Sequence, residues 1–142
     1  MSLAFRGTNP SPDPITVPRR YAVHIDGHAT PHLLDGEEAL HHLIHGVADV
    51  CRMRVLQTLC SRIDHDIPSG QREADETGLS VQALISTSHI AIHTWPAVGF
   101  FMFDLVSCRP FDEQAVYAQL EERLGMHSVV QNYCDETERK CS

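Results

Sequence analysis

The eleven residues Ser86-Thr87-Ser88-His89-Ile90-Ala91-Ile92-His93-Thr94-Trp95-Pro96 concentrate more reactive chemistry than any other stretch of the chain. Ser88 offers a hydroxyl nucleophile. His89 and His93 offer imidazoles, whose unperturbed pKa of about 6.5 makes them good proton acceptors at neutral pH. Trp95 is the only tryptophan. A second apolar run follows and ends at Cys108, whose thiol, with an unperturbed pKa of about 8.5, is mostly protonated near neutrality and can return a proton. Taken singly, these residues have plainer roles. A strand-end cysteine is usually a small buried hydrophobe, His89 suits a hydrogen-bonded core position as well as one that holds the segment, and Trp95 beside Pro96 fixes a turn by burying a ring. Phe100, Phe101 and Phe103 read as core. A nucleophile, bases and an acid brought this close together exceed what a core hairpin needs.

The other reactive side chains form weaker patterns. Ten histidines invite a metal reading, and His41 and His45 share a helix face at i, i+4. No cysteine or carboxylate completes a ligand set by spacing, so these imidazoles read as solvated or partly buried and no metal is expected. Five cysteines, Cys51, Cys60, Cys108, Cys134 and Cys141, are odd in number, irregularly spaced and without a CxxC pair. That opposes a disulfide framework and leaves at least one free thiol. A net charge of −8 with only 11 Lys and Arg opposes a polyanion partner, because nucleic-acid binding needs clustered cations against phosphates. No apolar run approaches the roughly 20 residues of a membrane span, and the N-terminus lacks a basic-then-apolar signal pattern. Neither nucleic acid nor membrane is expected, and the cytoplasm is the expected compartment.

The elements that must position the Ser86–Pro96 stretch follow from periodicity. With 142 residues and 42% hydrophobic content, one ordinary core suffices. Residues 1–18 carry Pro10, Pro12, Pro14 and Pro18 and read as a flexible arm. A single domain over 19–135 and a charged tail over 136–142 complete the chain. Tyr21 to Asp26 alternates as a strand. Asp35 can cap a helix, with Glu38 closing a capping box and Leu40, Leu43, Ile44 and Val47 forming its apolar stripe. Met53 to Ile63 reads as a strand, and 64–78 as a long acidic loop broken by Pro68 and Gly70. Leu79–Ser86, Ser88–Thr94 and Val98–Ser107 supply three more strands. Asp112 caps a second helix with Phe111 stapled onto Val116, Gly125 ends it, and Ser128–Tyr133 is the last strand. The resulting class is α+β: a two-layer sandwich of a largely antiparallel sheet with two helices on one face.

The run Ser88-His89-Ile90-Ala91-Ile92-His93-Thr94-Trp95-Pro96 resembles, position by position, the self-cleavage segment of the prokaryotic S-adenosylmethionine decarboxylases, a family of pyruvoyl enzymes. A looser likeness extends from about Tyr21 to Tyr133. The resemblance implies the same layered fold and a homodimer with active sites near the subunit contact, each protomer made of two cleaved chains. It implies that Ser88 is the precursor of a pyruvoyl group, with cleavage after Thr87. The Ser88 hydroxyl attacks the Thr87 carbonyl, the peptide bond becomes an ester, a base removes the serine α-proton, and β-elimination leaves a dehydroalanine that hydrolyses to pyruvoyl and ammonia. His93 matches the processing base, and Ser80 a serine that assists processing and catalysis from the neighbouring strand. Cys108 matches the proton donor that completes decarboxylation through a Schiff base on the pyruvoyl ketone. In a regular strand Ser88 and His93 point to opposite faces, so a bend or an approach from another strand is required.

The departures from the family pattern bear on the substrate. Thr87 stands where the family usually has Glu, and Ala97 follows Trp-Pro where Glu is associated with ribose hydroxyls. Ser61-Arg62-Ile63 replaces a His-x-Phe stretch whose ring can stack on adenine. The loop carries Asp64, Asp66, Glu73, Asp75 and Glu76, carboxylates able to pair a guanidinium or ammonium, or else simply solvated. S-adenosylmethionine, converted to its decarboxylated aminopropyl-donor form for spermidine synthesis, is the first expectation. Decarboxylation of arginine or ornithine is the alternative, and an unprocessed, non-catalytic paralogue is the third reading.

Overall fold

A computed structural model of the chain describes residues 17–63 and 77–136. The expected N-terminal arm, except for its last two residues, lies outside the described residues, as do most of the acidic loop and most of the charged tail. The order is β1 (Tyr21–His28), α1 (Pro31–Leu34), α2 (Glu37–Val50), β2 (Gln57–Ile63), β3 (Gly78–Ile85), β4 (Ser88–Trp95), a 3₁₀ turn (Pro96–Val98), β5 (Phe100–Ser107), α3 (Glu113–Leu124) and β6 (Ser128–Glu136). All six strands form one sheet in the order β2-β3-β4-β5-β1-β6. Every neighbouring pair is antiparallel. Helices α2 and α3 lie side by side across one face, so the expected α+β two-layer sandwich is the observed one.

Strict alternation builds the core. Leu79, Val81, Ala83 and Ile85 of β3, Ile90 and Ile92 of β4, and Phe101, Phe103 and Leu105 of β5 are buried under the helical layer. They meet Leu40, Leu43, Ile44 and Val47 of α2 and Val116, Leu120 and Leu124 of α3, the stripes that the 3.6-residue period requires. The alternate residues of the same strands, among them Ser80, Gln82, Leu84, His93 and Met102, lie on a face of the sheet that no element among the described residues covers. Phe100 falls on that open face, half-buried, and does not join Phe101 and Phe103 in the core.

Local chemistry explains the other differences from the sequence reading. Helix α2 begins at Glu37 with Gly36 as N-cap and no side-chain cap. Asp35 instead accepts a hydrogen bond from the Arg62 guanidinium at 2.7 Å, a charge-assisted contact with β2 that outcompetes capping. Pro31 opens an extra helical turn where a plain connection is expected, using the N1 position that a proline tolerates. The second strand starts at Gln57 rather than Met53, because Met53 donates its backbone N–H to Ala48 and buries its side chain in the core. Asp112 caps α3 as expected, accepting from the Gln114 N–H at 2.9 Å, and Gly125 ends it in the left-handed region.

Candidate active site

The β3–β4 hairpin carries the reactive stretch, and its turn is as short as a hairpin permits. Ile85 pairs with Ser88, leaving Ser86 and Thr87 as the two turn residues. A two-residue loop wants positive φ at its first position, and Ser86 supplies it at φ 42° although it is not glycine. Such a backbone costs about 1–3 kcal/mol, and it sits one residue from the Thr87–Ser88 bond. The Ser88 side chain shares the helix-facing side of β4 with Ile90, Ile92 and Thr94 and is nearly buried, at 8% exposure.

Register then brings Cys108 to the same place. His89 lies opposite Val106 on β5, and the same antiparallel count carried two residues on sets Thr87 opposite Cys108. Their side chains meet, with Thr87 Oγ1 3.0 Å from Cys108 Sγ. Around them lies a cavity of about 480 Å³, bounded by the hairpin tip, the α2–β2 connection and the residues after β5. Its wall contains Ser88, Thr87 and Cys108, the apolar Met53, Leu56 and Ile85, and three guanidinium-bearing residues, Arg52, Arg54 and Arg109. Arg109 donates to the Arg52 carbonyl at 3.4 Å, which links the two sides of the cavity mouth. Among the described residues, no carboxylate lines the cavity. The Thr87–Ser88 peptide, a thiol and a pocket open to a small molecule therefore coincide at one end of the sheet.

Ser80 and His93 form a second cluster. They are directly paired across β3 and β4, and Ser80 Oγ lies 2.8 Å from His93 Nδ1 on the open face. Ser88 is five residues from His93 along β4, about 16 Å at the rise of a strand, and its side chain leaves the opposite face. Within one protomer, Ser88, Thr87 and Cys108 come together and Ser80 and His93 come together, but the two groups stay apart. His89 is half-buried on the open face, and Trp95 packs at 5.6 Å against Phe100 where β4 turns into β5. Ala97 is exposed in that turn, and Ser61 sits directly opposite Ser80 on β2.

Sequence reasoning did not single out Thr94, yet it anchors the segment. Its buried hydroxyl donates to the Leu34 carbonyl at 2.8 Å and accepts the Leu79 N–H at 3.1 Å, tying the end of β4 to α1 and to the start of β3. Beside it Gly78 is obligatory, since any Cβ there would collide with the Thr94 carbonyl oxygen. The strict alternation of β4 was the available signal: a hydroxyl on the buried side of an apolar strand must find partners.

The S-adenosylmethionine decarboxylase family model matches residues 22–137, nearly the whole described chain. The chain belongs to the S-adenosylmethionine decarboxylase family. That family comprises pyruvoyl-dependent decarboxylases. The chain is 36% identical over 84 residues to an arginine decarboxylase proenzyme of Caldivirga maquilingensis, an alignment covering 56% of this chain and 57% of that one. It is 30% identical over 111 residues to the arginine decarboxylase proenzyme of Ignicoccus hospitalis, covering 78% and 71%. An S-adenosylmethionine decarboxylase proenzyme of Saccharolobus islandicus is 31% identical over 104 residues, covering 72% and 75%. The crystal structure of the adenosylmethionine decarboxylase from Aquifex aeolicus superposes with a TM-score of 0.59 at 17% identity, covering 90% of this chain and 95% of that one, and so shares the fold. Family relatives of both names thus stand at similar distances from this S-adenosylmethionine decarboxylase family member.

Proposed function

We propose that this chain cuts itself between Thr87 and Ser88 and that the pyruvoyl group formed from Ser88 makes it a decarboxylase of an amino-bearing carboxylic acid. The observation that carries this reading is the hairpin tip, where the Thr87–Ser88 bond, the Cys108 thiol and a 480 Å³ cavity meet beside a left-handed Ser86. Attack by Ser88 Oγ on the Thr87 carbonyl carbon converts the amide to an ester. Removal of the Ser88 α-proton expels the Thr87 carboxylate, and hydrolysis of the resulting dehydroalanine releases ammonia. Scission relaxes the turn, so the Ser86 strain favours the products. The pyruvoyl ketone supplies an electron sink for loss of CO2. This chain's own residues do the rest: Met53, Leu56 and Ile85 exclude water, Cys108 stands ready to protonate the product carbon, and Arg52, Arg54 and Arg109 make the cavity attractive to a carboxylate.

The Ser80–His93 pair acts on Ser88 of a second copy. A two-fold axis running between two facing sheets, over the middle of β4 and across its direction, exchanges the strand's ends, so that one copy's His93 faces the other's hairpin tip. The uncovered sheet face supports this arrangement, since it presents Leu59, Leu84, Met102 and Tyr133, all exposed in the single chain. The resulting homodimer holds two composite sites. His93, with its Nδ1 fixed by the Ser80 hydroxyl, is the base for the processing step.

S-adenosylmethionine is the favoured substrate. The family model that the chain matches and the S-adenosylmethionine decarboxylase name of the Saccharolobus islandicus relative support it. Arginine is the second reading, favoured by the arginine decarboxylase names of the Caldivirga and Ignicoccus relatives. Denaturing mass spectrometry tests the processing: two fragments, 1–87 and 88–142, are expected, and a single chain of 15.9 kDa from Ser88→Ala. An intact seryl chain from folded wild-type protein would sink the proposal. Parallel release of labelled CO2 from S-adenosylmethionine, arginine and ornithine decides the substrate.

A further inference from the structure

On the opposite side of the sheet from the Ser80–His93 pair, three side chains of different chemistry converge where α2 crosses the edge strand β2. Glu37 and His41 are one turn apart on α2, and Cys60 rises from β2 toward them, opposite the buried Val81. One ligand atom from each, a carboxylate oxygen, an imidazole nitrogen and the Cys60 Sγ, lies within 4.8 Å of both others. We propose that Glu37, His41 and Cys60 form a zinc site that clamps the edge strand to the helical layer.

The donor set decides the metal. Mixed S, N and O donors suit Zn²⁺, whereas Ca²⁺ and Mg²⁺ take oxygen ligands. Tetrahedral zinc with bonds of about 2.0–2.3 Å places its ligand atoms roughly 3.3–3.8 Å apart. Closing from separations of at most 4.8 Å requires no more than about 1–1.5 Å of movement. Rotamer adjustment of the exposed Glu37 absorbs much of it, and Cys60 and His41, both only half-buried, have room for the rest. Three protein ligands leave the fourth position to water.

Charge balance agrees. Zinc takes the Cys60 thiolate, the thiol proton goes to solvent, and two negative ligands neutralise the ion at the N-terminal end of α2, where an uncompensated cation would be disfavoured. His45, one further turn along α2, is exposed and outside the cluster, so the ligand partner of His41 is the strand and not the next histidine.

Zinc sulfate titrated calorimetrically into the metal-stripped full-length protein tests the site, with bound metal counted after dialysis. One zinc per chain is expected, with about one proton released per zinc, read from the dependence of the heat on buffer ionisation. Cys60→Ser and Glu37→Gln should each weaken binding more than about tenfold, while His45→Ala leaves it unchanged. Glu37 is exposed, so its substitution keeps the test valid should Cys60→Ser fold poorly. Absence of stoichiometric binding, or equal affinity in wild type and Glu37→Gln, overturns the proposal. Self-cleavage and CO2 release are separate readouts, so the zinc result stands or falls independently of the decarboxylase reading.

Discussion

Replacing Thr94 by valine keeps the shape of the side chain and removes only its hydroxyl. Thr94 is 3% exposed, so water cannot take over the Leu79 N–H or the Leu34 carbonyl that the hydroxyl now serves. Each of the two orphaned buried groups costs about 1–3 kcal/mol, and the added methyl returns about 0.8 kcal/mol, giving a net loss of roughly 1–5 kcal/mol. For a chain of this size, each kcal/mol moves the melting temperature by about 3–4 °C, so a fall of roughly 3–20 °C is expected. The measurement belongs on the Ser88→Ala background, where every variant is one uncut chain, with thermal unfolding followed by circular dichroism. Thr94→Ser retains both hydrogen bonds and loses only a methyl group, so it should cost about 1 kcal/mol. If valine proves as stable as threonine, or serine proves worse than valine, the anchoring role is refuted and packing alone holds this end of β4.

Three further outcomes are expected. Cys108→Ala should still yield both fragments but lose most turnover, with kcat falling far more than KM rises; full activity in the cleaved variant would remove Cys108 from the proton-donor role. Chains carrying Ser88→Ala and chains carrying His93→Ala should each stay uncut alone, yet co-expression should cleave the His93→Ala chain, whose intact Ser88 then faces an intact His93 from its partner; no cleavage in the mixed pair would place the base in the same chain. Burial and the nearby Asp112 carboxylate push the Cys51 thiol up to about 11, so at pH 8 only about one in a thousand is thiolate and iodoacetamide should leave it unmodified in the folded protein. Peptide mapping that finds Cys51 labelled as fast as in the unfolded chain would contradict its burial.

Most of the fold was legible because it rests on period. The alternation in Gly78–Ile85 and Ser88–Trp95 and the stripe Leu40, Leu43, Ile44 and Val47 each specify a buried face without reference to anything distant. The cap at Asp112 and the stop at Gly125 are likewise local. Where the reading of boundaries missed, a distant partner had won: Arg62 drew Asp35 out of its capping role, and the core drew Met53 away from the strand. Phe100 was misassigned to the core because a run of aromatic residues conceals which member faces out, and only the register of β5 against β4 decides that.

The candidate site divides the same way. By itself the sequence determined the motif, the nucleophile it offers and the family to which the chain belongs, since covalent order places Ser88 one bond from Thr87 whatever the fold. Only the tertiary structure set Cys108 against Thr87, parted the Ser80–His93 pair from Ser88 by the length of five strand residues, and brought Cys60 to Glu37 and His41. Those relations depend on which strands pair and in which register. That choice is made by burying whole faces at once, an energy summed over residues far apart in the chain that no local spacing records.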